Sequence, residues 1–391
     1  METAVNQCRA CVSILVLACF GFARGAAQTP TGSRNPGDEL QTVDVGADHR
    51  VTFRFYAPRA SSVAVNGDFL IGGPAASLSK AEDGVWSFTS APLPPDSYTY
   101  NFSVDGVPVL DTRNPNFREN PNALFNFFDM PGPETDFMAL KNVPHGRVES
   151  VIYHSNSLDL ERRMHVYLPP NFEKIQGKLP VLYLLHGGGD NDISWTSAGK
   201  VNLILDNLYA AGKLKDMIVV MPSGHFPGQA RGRMLFPVGP ENDPFSKDFL
   251  NDLLPFVEKT YPVSSRREDR AIAGFSMGGV QALNLALWHP ETFGFVFPMS
   301  TGYFPEALKQ IDEQYAPVMQ NAAKHPFSQF IVGRGKDDSL TGPNNRATLA
   351  MLDRYGIRHQ YQELNGAHSF VFSRRFLASV FPLMFRSPLS Q

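Results

Sequence analysis

At 391 residues the chain exceeds what one ordinary core organises, so two folded units are expected. An apolar content of 43% is that of a globular protein, and a formal net charge of −3 supplies no basic field for nucleic acid or acidic lipid. A polyanionic partner is therefore not expected.

The chain opens with "METAVNQCRACVSILVLACFGFARGAAQTP": Arg9, an apolar run from Cys11 to Phe22, then the small residues Gly25, Ala26 and Ala27. This order reads as a secretory signal over residues 1–27 that is cleaved, giving a secreted or periplasmic protein. A lipoprotein signal ending at Cys19 is the weaker alternative, because Leu17 stands where a smaller residue is expected. No later segment approaches the roughly 20 apolar residues of a spanning helix, so no membrane partner is expected. Cys8, Cys11 and Cys19 all lie in the signal, which leaves a mature chain without thiols or disulfides, stabilised by core burial.

A polar linker over residues 28–42 leads to short alternating segments, "HRVTFRFYAP", "SSVAVNGDF", "GVWSFTSAPL" and "DSYTYNFSVDG". Period-two alternation with turns every ten or so residues predicts a small all-β, immunoglobulin-like sandwich over 43–111, with Trp86 in its core. The Pro- and Asn-rich stretch that follows reads as a connector over 112–147.

From 148 to 391 the pattern changes to strands alternating with amphipathic helices. "LPVLYLLHG", "MIVVMPSG", "DRAIAGFS", "GFVFPMS" and "SQFIVGRG" are continuous apolar strands, which predict an α/β unit with a mostly parallel sheet covered on both faces. The more polar "ESVIYHSNSL" and "ERRMHVYLPP" read as antiparallel edge strands. Asp248 and Asp252, at helical spacing, are expected on one solvated helix face.

Gly274-Phe275-Ser276-Met277-Gly278 is a G-x-S-x-G element between a strand and a helix. Such a turn holds a serine in a strained conformation, with glycines where side chains would strike the neighbouring strand and helix. A serine hydroxyl needs a base, and "ELNGAHSF" places His368 after the last predicted strand. The orienting carboxylate is then Asp337 or Asp338 in "GKDDSL", since neighbours in an extended segment point to opposite sides. The chain order Ser, Asp, His is that of α/β-hydrolases. Oxyanion donors are expected from the Met277 N–H and from Gly187, Gly188 and Gly189 in "LLHGGGD", with His186 fixing that loop rather than acting as a base.

Together "YLLHGGGD", the tryptophan soon after it, "GFSMGG", "GKDDSL" and "GAHSF" resemble the esterase D and feruloyl esterase group, carbohydrate esterase family 1-like α/β-hydrolases. The segment before them resembles the early-set, glycogen-binding-like modules that precede such esterases. It lacks the tryptophan many starch-binding relatives carry after "GDF", so the sandwich is expected to support the hydrolase rather than to bind glycan. The family pattern places the acid three residues after Gly335, which selects Asp338.

The resemblance implies a serine carboxylesterase acting on acyl esters of plant cell-wall sugars, feruloyl esters first. Ser276, His368 and Asp338 would be catalytic, and Met277 and Gly188 would bind the oxyanion. Acetyl xylan, siderophore ester or acyl-transfer chemistry, or an inactive carbohydrate-binding protein, are the alternatives. Trp195, just beyond the glycine loop, is expected either to border the substrate pocket or to anchor its loop. No metal-ligand motif or phosphate loop is present, so neither metal nor cofactor is expected.

Overall fold

The computed structural model describes residues 36–70, 73–118, 125–226 and 243–386. The expected signal over 1–27, with all three cysteines, lies outside the described residues. Among the described residues, no helix is long and apolar enough to cross a membrane.

The N-terminal unit is a β-sandwich. One sheet orders Val43–Val45, Val51–Tyr56, Val85–Thr89 and Ser79–Lys80. The other orders Ala76–Ser77, Val63–Gly67, Asp96–Val104, Phe125–Met130 and Phe117–Arg118, with Val107–Val109 paired to the long central strand. Their inner faces enclose Val51, Phe53, Val65, Tyr100, Phe102 and Phe128. Trp86 is buried in this core with its indole N–H donating to Ala57 O at 2.9 Å.

The stretch read as a connector departs from expectation. Phe125–Met130 pairs antiparallel with Asp96–Val104 from Asn126↔Tyr100 to Met130↔Asp96, so the sandwich runs past Asp111 to Met130. "FNFFDM" alternates inward and outward, but its Pro- and Asn-rich surroundings obscured the alternation.

The second unit is built on eight strands: β1 (Arg147–Ser155), β2 (Leu160–Leu168), β3 (Val181–Leu185), β4 (Ile218–Pro222), β5 (Arg270–Phe275), β6 (Phe295–Met299), β7 (Gln329–Gly335) and β8 (Gln360–Leu364). Their spatial order is β1-β2-β4-β3-β5-β6-β7-β8. β1 and β2 are antiparallel to their neighbours, and every pairing from β4 through β8 is parallel. The apolar runs follow from helices on both faces. Val181, Tyr183 and Leu185 of β3 enter one core while Leu182 and Leu184 enter the other, so no position of that strand meets water.

Asp248 and Asp252 correct an expectation: both are buried, not on a solvated face. Helical spacing fixes that they share a face, not which way it turns. Here the face turns toward the β1–β2 hairpin, where Asp248 meets Arg162 at 3.0 Å and the Tyr153 hydroxyl at 2.7 Å. Asp252 accepts from the Ser157 N–H at 2.9 Å.

Candidate active site

β5 runs directly into the helix Met277–Trp288, and Ser276 is the turn between them, with φ 54° and ψ −112°. A positive φ is costly for a residue with a Cβ, and hydrogen bonds hold it. The Ser276 N–H donates to Met299 O at 2.9 Å, and Thr301 Oγ1 donates to Ser276 O at 2.8 Å. The flanking glycines are sterically required. A Cβ on Gly274 would lie 2.1 Å from Gly278 O, and one on Gly278 would lie 2.6 Å from His186 O.

His368 follows β8. Its Nε2 is 3.0 Å from Ser276 Oγ and its Nδ1 is 2.9 Å from Asp338 Oδ2. An ionised carboxylate only accepts, so Nδ1 carries the proton and the Nε2 lone pair faces the hydroxyl. The ring packs against Phe275, with centroids 4.7 Å apart.

Asp338 leaves the end of β7 and is buried, whereas Asp337 is exposed. Burial opposes ionisation of Asp338. The His368 ring and the Thr341 hydroxyl, the latter donating to Oδ2 at 2.7 Å, outweigh it and hold the carboxyl well below the usual range.

The glycine loop lies opposite. His186 is fully buried and accepts from the Gly224 N–H at 2.8 Å through Nε2, so its Nδ1–H donates to Gly187 O at 2.8 Å. Desolvation pushes its pKa down to about 4, which keeps the ring neutral as a brace for the loop. Gly187, Gly188 and Gly189 line a cavity of about 400 Å³ together with Ser276 and His368. Met277 begins the helix, where the first N–H groups have no intrahelical partner.

The geometry thus brings Ser276, His368, Asp338 and the glycine loop together. A hydroxyl aligned on an imidazole that is itself oriented by a carboxylate can attack an acyl carbonyl. A family model for esterases matches residues 155–376, more than half of the chain. The chain belongs to the Esterase family.

The esterase also carries a match to carbohydrate-binding module 48, the isoamylase N-terminal domain, over residues 41–115. An endo-1,4-beta-xylanase/feruloyl esterase of Xylanibacter ruminicola is 31% identical over 369 residues, covering 91% of this chain and 47% of that protein. An acetyl esterase of Caldicellulosiruptor saccharolyticus is 23% identical, over 53% of this chain and 83% of that one. The chain thus spans about half the length of the first of these relatives. Among solved structures, the CE1 ferulic acid esterase of Anaeromyces mucronatus superposes with a TM-score of 0.56 at 22% identity, covering 65% of this chain and 96% of that one. The enterobactin esterase of Shigella flexneri gives 0.66 at 19%, covering 85% and 92%. At these identities the likeness is one of fold.

Of the two roles expected of Trp195, the pocket border is corrected in favour of the loop anchor. At 1% exposure it is packed edge-on against Phe370, with centroids 5.3 Å apart, inside the core beneath the cavity. It anchors its loop and does not border the pocket.

The sequence missed the contribution of the sandwich. Asp68, Thr99 and Arg118 line the same cavity as Ser276. Arg118 reaches Asp190, at the end of the glycine loop, at 3.3 Å, and its guanidinium lies over the Phe370 ring at 5.2 Å. Asp68 belongs to "NGDF", a segment noticed for the tryptophan it lacks and not for its carboxylate.

Proposed function

We propose that this esterase is an exported serine carboxylesterase that hydrolyses acyl esters of plant cell-wall sugars, feruloyl esters first. The unbroken hydrogen-bond chain Asp338–His368–Ser276 carries the reading. In the reaction Ser276 Oγ attacks the ester carbonyl carbon while its proton passes to His368 Nε2. Asp338 keeps Nδ1–H in place and balances the imidazolium. The N–H groups of Met277 and Gly188 receive the negative oxygen of the tetrahedral intermediate, a contribution commonly of about a hundredfold or more in turnover. As the intermediate collapses, the alcohol oxygen takes the proton from Nε2 and departs. Water then attacks the acyl-enzyme by the same route, releasing the acid and restoring Ser276.

The feruloyl preference is supported by the relative from Xylanibacter ruminicola, and export by the pattern of residues 1–27. A release assay on methyl ferulate, acetylated xylan and short acyl esters tests the substrate class. Turnover of methyl ferulate well above that of the acetyl esters is expected, and turnover confined to acetyl esters would move the reading to an acetyl xylan esterase.

A further inference from the structure

Beyond His368 a second cavity of about 500 Å³ opens between the sandwich and the hydrolase unit. It shares Asp68, Leu340, His368 and Ser369 with the cavity that holds Ser276, so the two meet at the imidazole. The reaction fixes which part of an ester lies on which side. The leaving oxygen must receive its proton from His368 Nε2, so the alcohol extends past the imidazole, while the acyl group stays with Ser276, Phe275 and Phe370.

The lining of the second cavity sets groups that suit an alcohol's hydroxyls among the apolar Pro94, Tyr98, Leu340 and Val371. Asp68, Asp337, Ser339 and Asn365 border it, and the first two are acceptors with capacity for several donors. The Asp96 carboxylate in its wall is already bound by Arg374 and Arg375. Arg375 is the cation of this lining, and it is engaged with Asp96. An anionic alcohol would therefore face the Asp68 and Asp337 carboxylates, while the nearby Arg118 and Arg374 are already paired with Asp190 and Asp96. Asp68 is half-buried, and its Oδ1 accepts from the Thr99 N–H at 2.7 Å. Desolvation pushes its carboxyl up to about 6, a cost that the Thr99 N–H and the charges of Arg374 and Arg118 offset only in part. A sugar hydroxyl donating to it would offset more.

We propose that this interdomain cavity is the subsite for the alcohol side of the ester, that it takes a neutral polyhydroxylated alcohol, and that Asp68 of the N-terminal module sets that preference. The proposal rests on the serine esterase reading above. It assigns to the sandwich half of a substrate site rather than support alone.

Chlorogenate, methyl chlorogenate and methyl caffeate separate the possibilities. All three carry the caffeoyl group; the first two carry the same cyclic polyol with and without a carboxylate, and the third carries only methanol. Assays run at about pH 7.5, where an Asp68 carboxyl of this kind is ionised. The wild-type enzyme is expected to show a kcat/KM for methyl chlorogenate about tenfold above that for chlorogenate, the scale of a like-charge contact at a partly hydrated site. Asp68→Asn should shrink that ratio at least about threefold, through the KM for chlorogenate.

Should Asp68→Asn disturb the strand whose Thr99 N–H it accepts, Ser339→Trp carries the test. Ser339 is exposed and borders only this second cavity of the two. A bulky side chain there should lower the methyl chlorogenate to methyl caffeate ratio about fivefold or more. Wild-type indifference to the carboxylate, or ratios within about twofold of wild type in both variants, would overturn the subsite. So would cleavage of methyl caffeate without either quinate ester. Release of caffeate from none of the three would instead sink the feruloyl-type reading on which the subsite rests, and the subsite with it.

Discussion

Arg374 Nη2 lies 2.5 Å from Asp96 Oδ1, although 278 residues separate them, and both side chains are almost wholly buried. The arginine belongs to the helix Phe370–Val380 that follows His368, and the aspartate opens the central strand of the sandwich. Arg374 also donates to Ser97 O and to Ala198 O, each at 2.6 Å, so one guanidinium ties the two units together beneath the cavity. Removing one partner of such a pair leaves a buried charge uncompensated. Asp96→Ala should therefore lower unfolding free energy by about 3–5 kcal/mol in urea melts. A loss below about 1 kcal/mol would show that the junction contributes little.

The orienting acid is tested by comparing Asp338→Asn with Asp337→Asn. The first should lose roughly ten-thousandfold in turnover, because an amide at Nδ1 favours the wrong tautomer of His368. The second, exposed and away from the imidazole, should stay within about twofold of wild type on methyl esters, whose methanol leaves the second cavity empty. Collapse of the Asp337 variant alone would place the acid one residue earlier.

What the sequence made legible was local. The G-x-S-x-G turn, the glycine loop and the strand-end positions of His368 and Asp338 each sit within a few residues of the strand that presents them. Apolar runs revealed those strands because two covering layers leave no polar face. Side chains whose role depends on a distant partner were hidden. Asp68 and Arg118 reach the cavity only through the docking of the sandwich, Asp248 and Asp252 turn inward only because Arg162 and Ser157 meet them, and Phe125–Met130 is a strand only because Asp96–Val104 offers it an edge. Trp195 shows the limit from the other side: its position in the chain fits a pocket wall as well as an anchor, and burial decides.

Asp68 should make stability depend on pH in a particular direction. Its folded-state pKa of about 6 lies above the ordinary 3.8, so the folded state holds an extra proton between those values. The group's contribution is full below the lower value and is lost as pH rises through the upper one. Asp68→Asn, which can still accept from Thr99 N–H, should therefore be more stable than wild type at pH 8 by on the order of 1–3 kcal/mol. The difference should vanish near pH 3, below both values. Thermal melts across this range check it, and a stabilisation larger at pH 4 than at pH 8 would contradict the sign.

Trp195→Ala should cost about 3–5 kcal/mol of stability, as expected for emptying a buried aromatic site. The ratio of activities on methyl ferulate and short acyl esters should stay as in wild type. A changed ratio with unaltered melting would return Trp195 to the pocket wall.

Treating the purified protein with a fluorophosphonate and locating the adduct by peptide mass spectrometry tests whether Ser276 is the nucleophile. One phosphonyl group on Ser276 is expected, with loss of ester hydrolysis in step with labelling, and no adduct in Ser276→Ala, whose turnover should fall a thousandfold or more, roughly. Near wild-type hydrolysis by Ser276→Ala, or an unlabelled Ser276 in an active preparation, would contradict the account.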